Sequence, residues 1–121
     1  MLRSAAFKPR HSNSHRADEI KRVPGYLQWL RGRPCAIGGQ CTGRAEAAHV
    51  DYAGDKGMGT KPSDRYAYPS CSAHHAECHM SGVLTFEARH KVNLLKLANE
   101  YWGHWLTNTP MGRRWAERQE P

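Results

Sequence analysis

The run Cys71-Ser72-Ala73-His74-His75-Ala76-Glu77-Cys78-His79 narrows what this chain can fold into more than any other part of it. Six of its nine residues are Cys, His or Glu, and two metal-ligand spacings overlap within it. Cys71-x2-His74 has the spacing of a zinc knuckle, a tight bend that turns a thiolate and an imidazole towards one ion. His75-x3-His79 is an i, i+4 pair, so on a helix both imidazoles leave one face and can share a second metal. Cys35-x5-Cys41 and Ala48-His49 lie upstream, enough donors to close a tetrahedron and leave an imidazole for proton transfer.

A metal centre suits the composition. The 121 residues make room for one domain, and only 39% of them are hydrophobic. A core that thin is ordinarily reinforced, and where Cys and His cluster a structural metal is the usual reinforcement. The four cysteines could instead form two disulfides. Each, however, lies near a His or in a knuckle spacing, and no apolar signal-peptide core is seen, so reduced thiols and a cytoplasmic location are expected. No apolar run reaches the roughly 18 residues of a membrane helix. Eighteen Lys and Arg against eleven Asp and Glu give a net charge of +7. That balance favours a polyanionic partner, nucleic acid first, because each phosphate contact releases counterions.

Residues 1–16 carry Arg3, Lys8, Arg10, Arg16, His11 and His15 and no acid. They read as a flexible basic arm extending over 1–22, either a solvated tail or a DNA-touching one. Val23-Pro24 opens a short helix to about Leu30, with Pro at the first helical position. Gly32 to Gly43 is a loop with Cys35 and Cys41 at its shoulders. Ala45 to Val50 is a strand that brings up His49, and Asp51 to Ser63 is a long irregular connection with Gly54, Gly57 and Gly59. A second strand, Arg65 to Pro69, runs into Cys71. A helix starts near His74 and stops at Ser81-Gly82. Thr85 is placed to cap one long final helix, Phe86 to Trp105, with Phe86, Leu94, Leu97, Ala98, Tyr101 and Trp105 on its core face. Residues 107–121 read as a polar tail carrying Arg113, Arg114 and Arg118. The domain is therefore expected over 23–106, with its core at 35–86.

Cys35, Cys41, Cys71 and His74 supply a Cys₃His set for structural Zn²⁺, one pair from the loop before the strands and one from the knuckle after them. Cys78 is either a rival fourth ligand or a small buried thiol. His75 and His79 remain for a second, catalytic cation: Mg²⁺ or Mn²⁺, with Zn²⁺ or Ni²⁺ as alternatives. Phosphodiester cleavage needs a cation for the charge that builds in the transition state and a base to deprotonate water. His49 is the base on this reading, and His75 and His79 hold the cation.

These features resemble the HNH, or ββα-metal, endonucleases, most closely a small phage and prophage branch. There, two Cys precede an Ala-His strand end, then a Gly-x-Gly-x-Lys-Pro-x-Asp loop, then Pro-x-Cys-x2-His-His-x3-His. The counterparts here are Ala48-His49, Gly57-Met58-Gly59-Thr60-Lys61-Pro62-Ser63-Asp64, and Pro69 through His79. The likeness covers about residues 35 to 86. It implies an α+β fold with a ββα-metal core and zinc knuckle, flanked by helices and the basic arm. It also implies that His49 activates water, that His75 and, as in colicin-type nucleases, His79 contribute to the metal, and that the products carry a 5′-phosphate and a 3′-hydroxyl.

Two positions depart from the pattern. Many members carry an acidic or His ligand just before the base, where this chain has Ala48, and the middle Asn of the motif has no counterpart before Cys71. Asp64 is the nearest polar candidate, orienting His49, filling the coordination sphere, or only bracing the Lys61-Pro62 turn. Asp51, two residues past His49, is a second option. Lys56, Lys61 and Arg65 flank the site and are expected either to grip phosphates without reading sequence or to form a solvated basic face. The expected function is a metal-dependent DNA endonuclease of phage or prophage DNA processing or recombination, with RNA as a further substrate class. The alternative is a non-catalytic, zinc-stabilised nucleic-acid-binding accessory protein, which leaves the surplus of His49, His75 and His79 unexplained.

Overall fold

A computed structural model describes residues 21–50 and 62–119. The basic arm of 1–16, Asp51, Lys56, Lys61 and the Gly57–Thr60 stretch lie outside the described residues. In chain order come α1 (Pro24–Arg31), β1 (Ala45–His49), a 3₁₀ turn (Asp64–Tyr66), β2 (Ala67–Cys71), α2 (Ser72–Ser81), α3 (Val83–His90), α4 (Leu94–Asn108) and α5 (Pro110–Gln119). The class is α+β: five helices and a two-stranded antiparallel sheet among the described residues. No helix among them is long and apolar enough to cross a membrane.

The β1–β2 register pairs Ala45 with Cys71, Ala48 with Tyr68 and His49 with Ala67, and the Val50 N–H adds a further bond to the Tyr66 carbonyl at 2.9 Å. Side chains alternate across a strand, so each face of this ribbon meets its own apolar cluster. Ala47 and Ala67 face Val23, Tyr26, Leu30, Trp102 and Trp105. Ala48 and Tyr68 face Phe86, Leu94 and Ala98, with Cys78 packed alongside. The run of small residues in β1 leaves room for helices on both sides, and every position of β2 is buried. Tyr26 and Leu30, one turn apart on α1, are fully buried. The Tyr26 hydroxyl donates to the Ala67 carbonyl at 2.9 Å, and burial pushes its phenol up, so it stays neutral.

Helix α2 begins one residue after β2, with Cys71 as its N-cap, and ends at Gly82, whose φ of 87° only glycine adopts without strain. The single long helix expected over 86–105 is two helices. Thr85 caps neither: α3 follows directly from Gly82 with no side-chain cap. Lys91 takes a left-handed φ of 57°, and α4 restarts behind Asn93, whose Oδ1 accepts from Lys96 N at 3.0 Å. Glu87 Oε2 accepts from Leu94 N at 2.8 Å. Local side-chain acceptors thus satisfy the new helix start that the break creates.

The stretch expected as a polar tail forms the end of α4 and all of α5. Thr109 joins the two helices, donating to the Trp105 carbonyl at 2.6 Å and accepting from Gly112 N at 3.0 Å. Trp115 then packs edge-on against Trp102, ring centroids 5.1 Å apart. One aromatic residue in a polar segment gives little periodic signal, yet it anchors the helix because aromatic burial is large.

Candidate metal centre and histidine cleft

Cys35, Cys41, Cys71 and His74 converge, with their four donor atoms all within 4.8 Å of one another. His74 Nδ1 lies 3.5 Å from Cys35 Sγ, 3.8 Å from Cys41 Sγ and 3.2 Å from Cys71 Sγ. A tetrahedron with metal–sulfur bonds of about 2.3 Å and metal–nitrogen bonds of about 2.0–2.1 Å has a sulfur–nitrogen edge of about 3.6 Å. The three distances bracket that edge, so the four donors fit a metal such as zinc. None of the four cysteines is in a disulfide. The wide Cys35-x5-Cys41 gap closes because Gly38 and Gly39 both take positive φ, 79° and 78°, folding the loop back on itself.

The clustered thiols shift in opposite directions, Cys71 down and Cys41 up. Burial raises Cys71, but the N–H groups of His74 and Thr42 and the neighbouring thiols outweigh it and hold Cys71 below the usual thiol value. Desolvation, then Cys35 and Cys71, push Cys41 up to about 11. A divalent cation at this site would favour the thiolate of all three cysteines, because a coordinating thiol is deprotonated outright. Cys78 is not in this donor group; it packs against the Ala48–Tyr68 cluster.

His49, His75 and His79 line one cleft of about 200 Å³ with Ala48, Val50 and Gly82. His75 and His79 stand one turn apart on α2 with ring centroids 4.8 Å apart. His49 reaches the cleft from the end of β1, although alternation puts it on the Ala47 and Ala67 side of the ribbon. Asp64 holds it there: His49 Nε2 lies 2.9 Å from Asp64 Oδ1. Of the roles open to Asp64, the geometry shows this hydrogen bond. Its other contacts are Arg22 Nη1 on Oδ1 at 3.3 Å and Val23 N on Oδ2 at 2.7 Å. Burial raises the Asp64 carboxyl, but the hydrogen bonds from His49 and Val23 and the charges of His49 and Arg22 prevail and leave it below the usual value. Arg65, exposed and next in the chain to Asp64, lies over the rings of Tyr66 and Trp102 at 5.3 and 6.0 Å.

Residues 15–101 match the family described as protein of unknown function (DUF968). The chain belongs to the DUF968 family. Fifty-eight residues of this DUF968 chain are 36% identical to the uncharacterized protein YdfU of Escherichia coli (strain K12). That match covers 48% of this chain and 16% of YdfU, so the chain spans a small part of that relative's length. No solved structure matches.

The site holds acidic and basic partners that the motif did not single out. Glu46 Oε1 lies 2.7 Å from His75 Nδ1. Glu77 receives Arg89 Nη1 at 2.5 Å and His90 Nε2 at 2.9 Å, which hold its carboxyl below the usual value and tie α2 to α3 beside His74. Only Glu46 left a usable signal: strand alternation puts it on the face of β1 shared with Ala48.

Proposed function

We propose that this DUF968 chain is a metal-dependent endonuclease with a ββα-metal core of the HNH type, acting on DNA. The observation that carries the reading is the meeting of His49, His75 and His79 in one cleft, with Asp64 bonded to His49. The order β1, β2, α2, with the helix leaving directly from the second strand and the Cys₃His donor set at that junction, supports it. The net charge of +7 is consistent with a nucleic-acid substrate.

Asp64, held as a carboxylate, accepts only, so the hydrogen of His49 resides on Nε2 and the lone pair on Nδ1. Nδ1 takes the proton of the attacking water, and the Asp64 charge stabilises the imidazolium that results. His75 and His79 would hold the divalent cation, which when bound supplies charge stabilisation at the phosphoryl and leaving oxygens. Two imidazoles suit Mn²⁺, Ni²⁺ or Zn²⁺ better than the oxygen-preferring Mg²⁺. Cys35, Cys41, Cys71 and His74 would hold structural zinc, which would lock the strand–helix junction that carries His75.

The test is nicking of supercoiled plasmid by zinc-loaded protein with added Mn²⁺ or Mg²⁺, beside His49→Ala and a reaction without added cation. Nicking by wild type that vanishes in both controls is the expected result. Retained cleavage by His49→Ala moves the base elsewhere. DNA binding without cleavage moves the protein to the accessory class.

A further inference from the structure

Glu46 sits behind one of the three cleft histidines. Its carboxylate meets His75 Nδ1 at 2.7 Å, joining β1 to the first turn of α2. The pair is poorly placed to stabilise the fold, since the Glu46 side chain is 49% exposed and that of His75 27%, and exposed ion pairs contribute little. What the contact fixes is the imidazole. A carboxylate accepts only, so the hydrogen of His75 lies on Nδ1 and the lone pair on Nε2. His75 lines the cleft with His49 and His79, and Glu46 does not. Asp64 stands in the same relation to His49: it bonds one ring nitrogen and does not line the cleft.

We infer that Glu46 is a positioning residue that presents His75 Nε2 as a ligand for the cation proposed between His75 and His79. The inference rests on that proposed cation site. Glu46 acts through the imidazole: its bond selects the tautomer and orients the ring. Carboxylate partners of metal-bound histidines typically change metal affinity by about 10–100-fold.

The experiment uses zinc-loaded wild type, Glu46→Ala, Glu46→Gln and His75→Ala, with zinc content confirming that each is folded. Mn²⁺ binding is followed by the electron paramagnetic resonance signal of the free ion, and the His75 tautomer by long-range proton–nitrogen NMR. Wild type is expected to show the Nδ1–H tautomer and to bind one Mn²⁺. Glu46→Ala is expected to weaken Mn²⁺ by about 10–100-fold and lose that tautomer. Glu46→Gln, still an acceptor but uncharged, is expected to keep the tautomer and bind with intermediate affinity. Equal Mn²⁺ affinity and an unchanged tautomer in Glu46→Ala overturn the role of Glu46 and leave the cation site standing. Failure of wild type to take up Mn²⁺, or undiminished uptake by His75→Ala, overturns the cation site and with it this role.

Discussion

His49 Nε2 lies 2.9 Å from Asp64 Oδ1, across fifteen positions of chain and between the end of β1 and the turn that leads into β2. Asp64 is 3% exposed and takes two further donors, Val23 N and Arg22 Nη1. One carboxylate thereby fixes the histidine, the start of α1 and the approach to β2. Its loss is expected to be felt in stability and in the proposed chemistry.

Asp64→Ala leaves the buried Val23 N–H without its acceptor and is expected to destabilise the protein by about 1–3 kcal/mol. The pH dependence has a defined sign. The folded carboxyl sits below its ordinary value, so its contribution is present above the ordinary carboxylate range and lost as pH falls through the folded value. Urea midpoints from pH 7 down to pH 3 are expected to fall further for wild type than for Asp64→Asn. Protonation of the zinc ligands affects both proteins, so the difference between them is the measure. Parallel curves reject the assignment.

One zinc per chain is expected by elemental analysis, with none retained by Cys71→Ser and full occupancy kept by Cys78→Ser. Removal of the zinc with a strong chelator is expected to abolish the cooperative thermal transition, because binding energy at such a site is folding energy. A Cys78→Ser protein that loses its zinc places that thiol among the ligands instead.

The proposed zinc and cation sites are expected to separate by mutation. His79→Ala is expected to keep its structural zinc while plasmid nicking falls by at least about 10²-fold, and His49→Ala to lose on the order of 10²–10⁴-fold. Loss of zinc from His79→Ala means that the two sites are not independent.

Gly112 lets α5 lie against α4, since a Cβ there would meet the Trp105 carbonyl backbone. Gly112→Ala is expected to cost about 1–3 kcal/mol by forcing the helices apart. Equilibrium unfolding followed by tryptophan fluorescence measures it, as Trp102, Trp105 and Trp115 all sit at this contact. An unchanged midpoint shows that the helices separate without penalty.

The reach of the sequence follows the range of the interactions. Cys71-x2-His74 and His75-x3-His79 were legible because a helix turn fixes the geometry of residues three and four apart, although α2 starts at Ser72, two residues before the start expected near His74, with Cys71 as its cap. The limits of β1 and the stop at Gly82 were legible for the same local reasons. The break at Lys91 was not: helical periodicity runs on through it, and only Glu87 and Asn93, bonding across the gap, mark a new start. Neither was α5, whose docking rests on Trp115 and on the absence of a side chain at Gly112.

By itself the sequence determined the donor types, their order, and which of them share a helix face, since spacing and residue chemistry decide these things locally. Only the tertiary structure decided which carboxylate stands behind which imidazole: Asp64 at His49 and Glu46 at His75, partners separated by fifteen and twenty-nine positions. Such pairs depend on how the ribbon register, the loop holding Cys35 and Cys41, and the seat of α2 close the chain together. No local spacing encodes that closure, because it minimises the free energy of the whole packed unit.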